Sequence, residues 1–324
     1  MVMRASVRSG YPLVVTGTDV TVVEVGPRDG LQSVKQAMST PAKLRWIDAL
    51  AAAGLRHVQV GSFVSPRALP QMADCAEVVH HALTIAELRV SVLVPNLHYA
   101  RLAFEAGVHA LTIPVSVSEP HSIANVRKTH DEIVEDVRAI VSLRDERYAG
   151  TQIDVGLATA FGCTIQGVVP EDDVIRLALR VADCGVDAIH PADTVGFASP
   201  AHVRRLIPRL RREVGERCGA IHLHDTRGQG LANVVAALDV GIRAFDSSHG
   251  GLGGCPYAPG ATGNIVTEDL VFLLEAMGLR TGVDLDRLID ARSILASELP
   301  GEELHGHLAD AGVPKGFVFA TATA

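Results

Sequence analysis

The stretch HLHDTRGQG places His222 and His224 two residues apart at the end of an apolar run, AIHLH at 220–224. Side chains alternate between faces along a strand, so both imidazoles would project to one side and converge on one point. Far upstream, GPRDGLQ brings Arg28 and Asp29 just after another β-rich run, TVVEVG at 21–26. Far downstream, GLGGCPYAPGATGN carries Cys255 and Asn264. Asp29, His222, His224 and Asn264 together offer a carboxylate, two imidazoles and an amide oxygen to one divalent cation. That mixed donor set has no thiolate, leaves room for substrate oxygens, and suits Mg²⁺ or Mn²⁺ at least as well as Zn²⁺. Taken alone, the H-x-H pair also fits two hydrogen-bonded histidines at a strand end; Asp29 at the end of a second strand favours the metal. An isolated cysteine is usually a small packing residue. The glycines before Cys255 point instead to a flap that closes over a reaction and delivers the thiol.

Elements that could hold these residues recur along the whole chain. Strand-like runs occur at 21–26, 57–62, 89–95, 110–117, 152–158, 187–191, 220–224 and 244–248, with helix-period segments between them. In TPAKLRWIDALAAAG, Thr40 reads as the N-cap, Pro41 as the first helical residue and Gly54 as the stop. Eight β-then-α units without a break in composition predict a single α/β domain, a (β/α)₈ TIM barrel over about 20–280. The remainder, about 281–324, reads as an extra C-terminal helical segment. A doubly wound sheet fits less well, because the first strand lacks the glycine-rich dinucleotide fingerprint. In a barrel, residues at the C-terminal ends of strands form the active site, and Arg28, Asp29, His222 and His224 all fall there.

The 324 residues, 48% hydrophobic and 20% charged, describe an ordinary globular chain able to bury a large core. A net charge of −8 and the absence of any basic run argue against nucleic acid as a partner. No apolar run approaches the roughly 18 residues of a membrane span. Five scattered cysteines without a C-x-x-C pair suit a reducing compartment, and no signal-like apolar block follows Arg4 and Arg8; the expectation is a cytoplasmic protein without a membrane partner.

The motifs VEVGPRDGLQ, GSFVSPRALPQMAD, HLHDTRGQGLAN and GLGGCPYAPGATGNIVTEDLVFLLEAMG, in this order over roughly residues 20–300, resemble those of the 3-hydroxy-3-methylglutaryl-CoA lyase family of the DRE-TIM metallolyases. The resemblance implies a retro-Claisen cleavage of an acyl-CoA into acetyl-CoA and a β-keto acid, on a homodimeric enzyme using Mg²⁺ or Mn²⁺. It implies that Asp29, His222, His224 and Asn264 hold the metal, that Arg28 meets the enolate oxygen, and that Cys255 protonates the enolate carbon. Asp29, His222 or a relayed Asp193 would take the hydroxyl proton. Gln59, Ser62 and Asn125 would join Arg28 in contacting substrate, with Glu119 and His121 on the same segment as Asn125. Arg127 and Lys128 could meet CoA phosphates, although two basic neighbours are more often solvated charge.

The chain departs from the family pattern at four places. Gln59 stands where a glutamate is expected, Gly156 and Arg227 where tyrosines are expected, and His249 where a small apolar residue is expected beside the flap. The wall around the acyl group is therefore expected to differ, with a modestly larger acyl chain as substrate. A Claisen synthase or a metal-dependent pyruvate aldolase shares the barrel chemistry. The cysteine flap, together with a length that leaves no room for a regulatory domain, argues against the synthase. A catalytically silent barrel would be expected to have lost a metal or enolate residue.

Overall fold

The computed structural model describes residues 17–253 and 263–320. Eight parallel strands close into a barrel in sequence order, the last pairing with the first. They are β1 (Thr21–Glu24), β2 (His57–Ser62), β3 (Arg89–Leu93), β4 (Ala110–Ser116), β5 (Gln152–Ala158), β6 (Ala188–Asp193), β7 (Ala220–Leu223) and β8 (Ala244–Ser247). The barrel expectation holds, and each strand lies within two residues of its predicted limits. A helix follows each strand around the outside, beginning with α1 (Thr40–Ala52) and α2 (Cys75–Ala82).

Two local forces set these boundaries. Helix starts are capped where the sequence supplies a short polar side chain: Thr129 and Glu132 form a reciprocal capping box before His130–Arg147, and Ser199 accepts from His202 N before Pro200–Val214. At α1 the cap lies one residue earlier than expected. Ser39 takes that position, and the Thr40 hydroxyl donates instead to Asp74 Oδ2 at 2.8 Å, tying α1 to α2. Gly54 does end α1, at φ +100°, and a Cβ there would lie 2.3 Å from the Gly282 carbonyl oxygen.

Hydrophobic side chains on the outer face of the strands, such as Val58, Val90, Val92, Ile113 and Phe245, are buried against the helices. Beyond the last barrel helix, Leu285–Glu298 packs back beside α1, where Asp284 N donates to the Ala53 carbonyl at 2.7 Å and Arg45 pairs with Glu298. Leu308–Ala311 adds one further helical turn. Among the described residues, no helix is long and apolar enough to cross a membrane.

Candidate active site

The segment after β1 folds into a helical turn. Gly26–Gly30 winds as one π-helical turn, with Leu31 N donating to the Gly26 carbonyl five residues back. Such wide turns often mark functional sites, because they re-aim consecutive side chains. Here the turn presents both Arg28 and Asp29 to the barrel mouth, each less than a tenth exposed.

Asp29, His222 and His224 meet there, with ligand-capable atoms all within 4.8 Å of one another. The Nε2 atoms of His222 and His224 lie 3.9 and 3.8 Å from Asp29 Oδ2. Asn264 is brought beside them by an isolated antiparallel bridge to His224, and its Nδ2 donates to Asp29 Oδ2 at 2.7 Å. Among the described residues, its Oδ1 is buried with no hydrogen-bond partner, and so is His224 Nδ1. An orphaned amide oxygen beside a carboxylate and two imidazoles is costly unless something else ligates it, so this donor set fits a divalent cation. Gly253 permits the close approach: a Cβ at that position would sit 2.6 Å from Asn264 Nδ2.

Asp246 on β8 sits near a strand end in the sequence, where a buried hydrogen-bonded polar residue is common and needs no catalytic role. Its Oδ2 lies 3.0 Å from His222 Nδ1, the arrangement that fixes the tautomer and aim of a ligating imidazole. The β7–β8 register, which pairs His222 with Asp246, is the origin of this contact. The strand-end position is legible in the sequence; the contact with His222 is not.

Electrostatics follow from this crowding. Burial alone would raise the Asp29 carboxyl, but Arg28 and the two imidazoles outweigh it and hold it well below the usual carboxylate range. Burial also opposes a charged His222, yet the Asp246 hydrogen bond and the Asp246 and Asp29 charges leave it raised. For His224 burial prevails, and it is lowered. Neutral His224 and ionised Asp29 are the forms that coordinate a metal.

Arg28 donates through Nη1 to Asp29 Oδ1 and through Nε to Gln59 Oε1, while Gln59 Nε2 donates to Thr112 Oγ1 at 3.1 Å. Arg28, Gln59, Ser62, His121 and Asn125 all line one cavity of about 380 Å³ that also contains the triad. Gly156 lines it as well.

Other expectations change. Asp193 does not line the cavity; its carboxylate accepts from Phe197 N at 2.7 Å and Ala198 N at 3.1 Å, and burial pushes it up to about 6. It braces the loop after β6, as a cap would, and lies near enough to His222 for that imidazole's charge to act on it. Arg227 and His249 are not part of the acyl wall either. Arg227 donates to the Val195 and Gly196 carbonyls and lies over the Phe197 ring. His249 is fully buried behind the barrel, accepting from Trp46 Nε1 at 3.0 Å and lying 2.8 Å from the Leu288 carbonyl. Lys128 pairs with Asp136, and Glu119 accepts from His130 N. Cys255 lies outside the described residues.

The HMGL-like family model matches residues 19–295. The hydroxymethylglutaryl-CoA lyase YngG of Bacillus subtilis is 38% identical over 272 residues, covering 84% of this chain and 90% of its own. The human mitochondrial hydroxymethylglutaryl-CoA lyase is 38% identical over 280 residues, covering 86% of each. Among solved structures, an HMG-CoA lyase from Acinetobacter baumannii in complex with coenzyme A and 3-methylmalate superposes with a TM-score of 0.86 at 38% identity, covering 92% of this chain and 97% of that one. With a barrel, a carboxylate–imidazole centre and sequence similarity along most of its length, this chain belongs to the HMGL-like family.

Proposed function

We propose that the protein is a divalent-metal-dependent carbon–carbon lyase. It cleaves 3-hydroxy-3-methylglutaryl-CoA, or a close 3-hydroxy-3-carboxymethyl acyl-CoA, to acetyl-CoA and a β-keto acid. The observation that carries this is the convergence of Asp29, His222, His224 and the Arg28 guanidinium on one cavity, with Asn264 hydrogen-bonded to Asp29 beside it. The relatives' names supply the reaction, and the coenzyme A of the A. baumannii structure supports an acyl-CoA substrate.

Asp29, His222, His224 and Asn264 would hold Mg²⁺ or Mn²⁺. When bound, the ion acidifies the tertiary hydroxyl and anchors a carboxylate oxygen. The chain's own groups do the rest. A base at the triad takes the hydroxyl proton, the C–O bond becomes C=O, and the C2–C3 pair moves into the thioester as an enolate. Arg28, fixed in plane by Gln59 and Asp29, faces that enolate oxygen with guanidinium N–H groups. Cys255 delivers the proton that converts the enolate to acetyl-CoA; a neutral thiol suits that donor role.

A cytoplasmic setting agrees with Cys75, Cys163, Cys184 and Cys218, all free and buried. A homodimer is part of the same reading, tested by light scattering. The deciding experiment is acetyl-CoA release from 3-hydroxy-3-methylglutaryl-CoA and related thioesters with Mg²⁺ or Mn²⁺. Metal-loaded, folded protein that releases none from any of them overturns the assignment.

A further inference from the structure

The barrel interior beneath the triad is not packed like a barrel core. Layers of branched aliphatic side chains are the usual filling. Here the inward positions of β2 to β6 carry His57, Gln59, Ser91, Thr112, Asp154 and His190, all lining the cavity. Register makes them one band: Gln59 pairs with Ser91, Thr112 with Asp154, and Gly156 with His190. His57 Nε2 lies 3.0 Å from Ser91 Oγ, and Gln152 donates to Asp154 Oδ1 at 2.7 Å.

Stability does not account for this band. Each buried polar group must keep a hydrogen-bond partner to avoid a desolvation cost, a constraint that a valine at the same place would not carry. Convergent donors and acceptors in a concave wall are the mark of a ligand pocket. Gly156 points the same way. Glycine weakens a strand interior, and its presence often marks a place something else must approach. A Cβ there would meet only Thr112 Cγ2, at 3.7 Å, so no clash demands glycine; its effect is to leave space beside His190.

The chemistry of the wall selects among occupants. Burial raises the Asp154 carboxyl and lowers His57. The band offers donors and acceptors side by side: Gln59 Nε2 donates to Thr112 Oγ1, His57 Nε2 lies against Ser91 Oγ, and none of its six residues is a lysine or arginine that would hold a second carboxylate. A hydroxyl, both donor and acceptor, matches it.

We infer that the polar band is the acyl-specificity pocket and that the preferred substrate carries a hydroxylated substituent at C3 where 3-hydroxy-3-methylglutaryl-CoA carries a methyl. This rests on the lyase reading above and refines its substrate. The bond broken is unchanged, and the extra hydroxyl leaves intact on the β-keto acid.

The test uses the full chain loaded with Mg²⁺ or Mn²⁺ and three thioesters whose C3 substituents are methyl, ethyl and hydroxymethyl. Ethyl and hydroxymethyl differ by CH₃ against OH at nearly constant size. The expected kcat/KM for hydroxymethyl exceeds that for ethyl by at least about tenfold, since a site built to hydrogen-bond discriminates more strongly than a pocket that senses size. Gly156→Leu should shift the ratio toward methyl, and Ser91→Ala should narrow the gap between hydroxymethyl and ethyl, with circular dichroism confirming both folds. Ethyl turned over as well as hydroxymethyl, or methyl above both, overturns the inference and leaves the lyase reading intact. Calorimetric binding of the same thioesters decides the case in which nothing turns over: acetyl-CoA release then fails the lyase reading, while tighter hydroxymethyl binding still supports the pocket and equal binding overturns it.

Discussion

Arg28 on the turn after β1 donates through Nε to Oε1 of Gln59 on β2, so a neutral amide from the neighbouring strand sets the plane of the guanidinium beside the metal-binding triad. Arg28→Lys removes that two-point fixation, because an ammonium cannot serve Gln59, Asp29 and an enolate oxygen in one plane. The expected result is a loss of about 10²-fold or more in turnover, the scale of removing an oxyanion donor, with the fold retained. Near-normal turnover in Arg28→Lys removes Arg28 from that role. Gln59→Glu keeps an acceptor for Arg28 Nε and adds a charge. A rise in kcat/KM common to every thioester would show that a carboxylate is catalytically useful there, whereas a changed rank order would show that Gln59 shapes the acyl pocket.

His222→Ala and His224→Ala are expected to abolish metal binding and turnover while leaving the melting temperature of the metal-free protein nearly unchanged. Both side chains project into the cavity, not into the packed layer between strands and helices. Metal content by atomic emission and melting with and without Mn²⁺ check this. Full turnover after chelation would refute a metal-dependent reaction.

Asp246→Asn should keep all the metal donors yet lower metal affinity or activity by about 10–100-fold, the usual cost of losing the partner that aims a ligating imidazole. It also predicts a pH effect. The Asp246 charge helps raise His222, and a protonated imidazole cannot bind metal, so affinity falls as pH drops through that raised value. Without the charge, His222 deprotonates at lower pH, and the acid limb of the binding curve should move down. Titrations of Mn²⁺ binding across pH 5–8 measure the displacement; an unmoved acid limb would rule out Asp246 as its cause.

Cys255→Ser is expected to fold, to bind metal and to turn over slowly, because a hydroxyl is a much poorer acid than a thiol. Alkylation of Cys255 in otherwise wild-type protein should act the same way. Full activity after complete alkylation would make the cysteine structural.

Gly54→Ala should destabilise the fold by about 1–3 kcal/mol, through left-handed strain and collision with the Gly282 carbonyl. Kinetic constants at a temperature well below melting should stay unchanged. A melting temperature equal to that of wild type would contradict the geometry.

The linear chain determined the barrel, because eight alternations of period-2 and helix-period patterns leave few other ways to bury so many apolar faces. It also determined Asp29, His222, His224 and Asn264, whose chemical types sit next to strand ends and in recognisable motifs. What it could not determine are relationships fixed by strand register and chain direction. Asp246 reaches His222 only because β8 pairs with β7 in one register. Arg227 and His249 sit beside motifs in sequence, yet their side chains turn to loop carbonyls and to Trp46, away from the acyl wall. Asp193 lies at a strand end, and only the folded loop after β6 brings the Phe197 and Ala198 amides to its carboxylate. The polar band from His57 to His190 is spread over five strands, and each residue alone reads as an ordinary polar interruption. Only closure of the barrel turns these positions inward together, because side-chain direction depends on which face of each strand the closed sheet encloses.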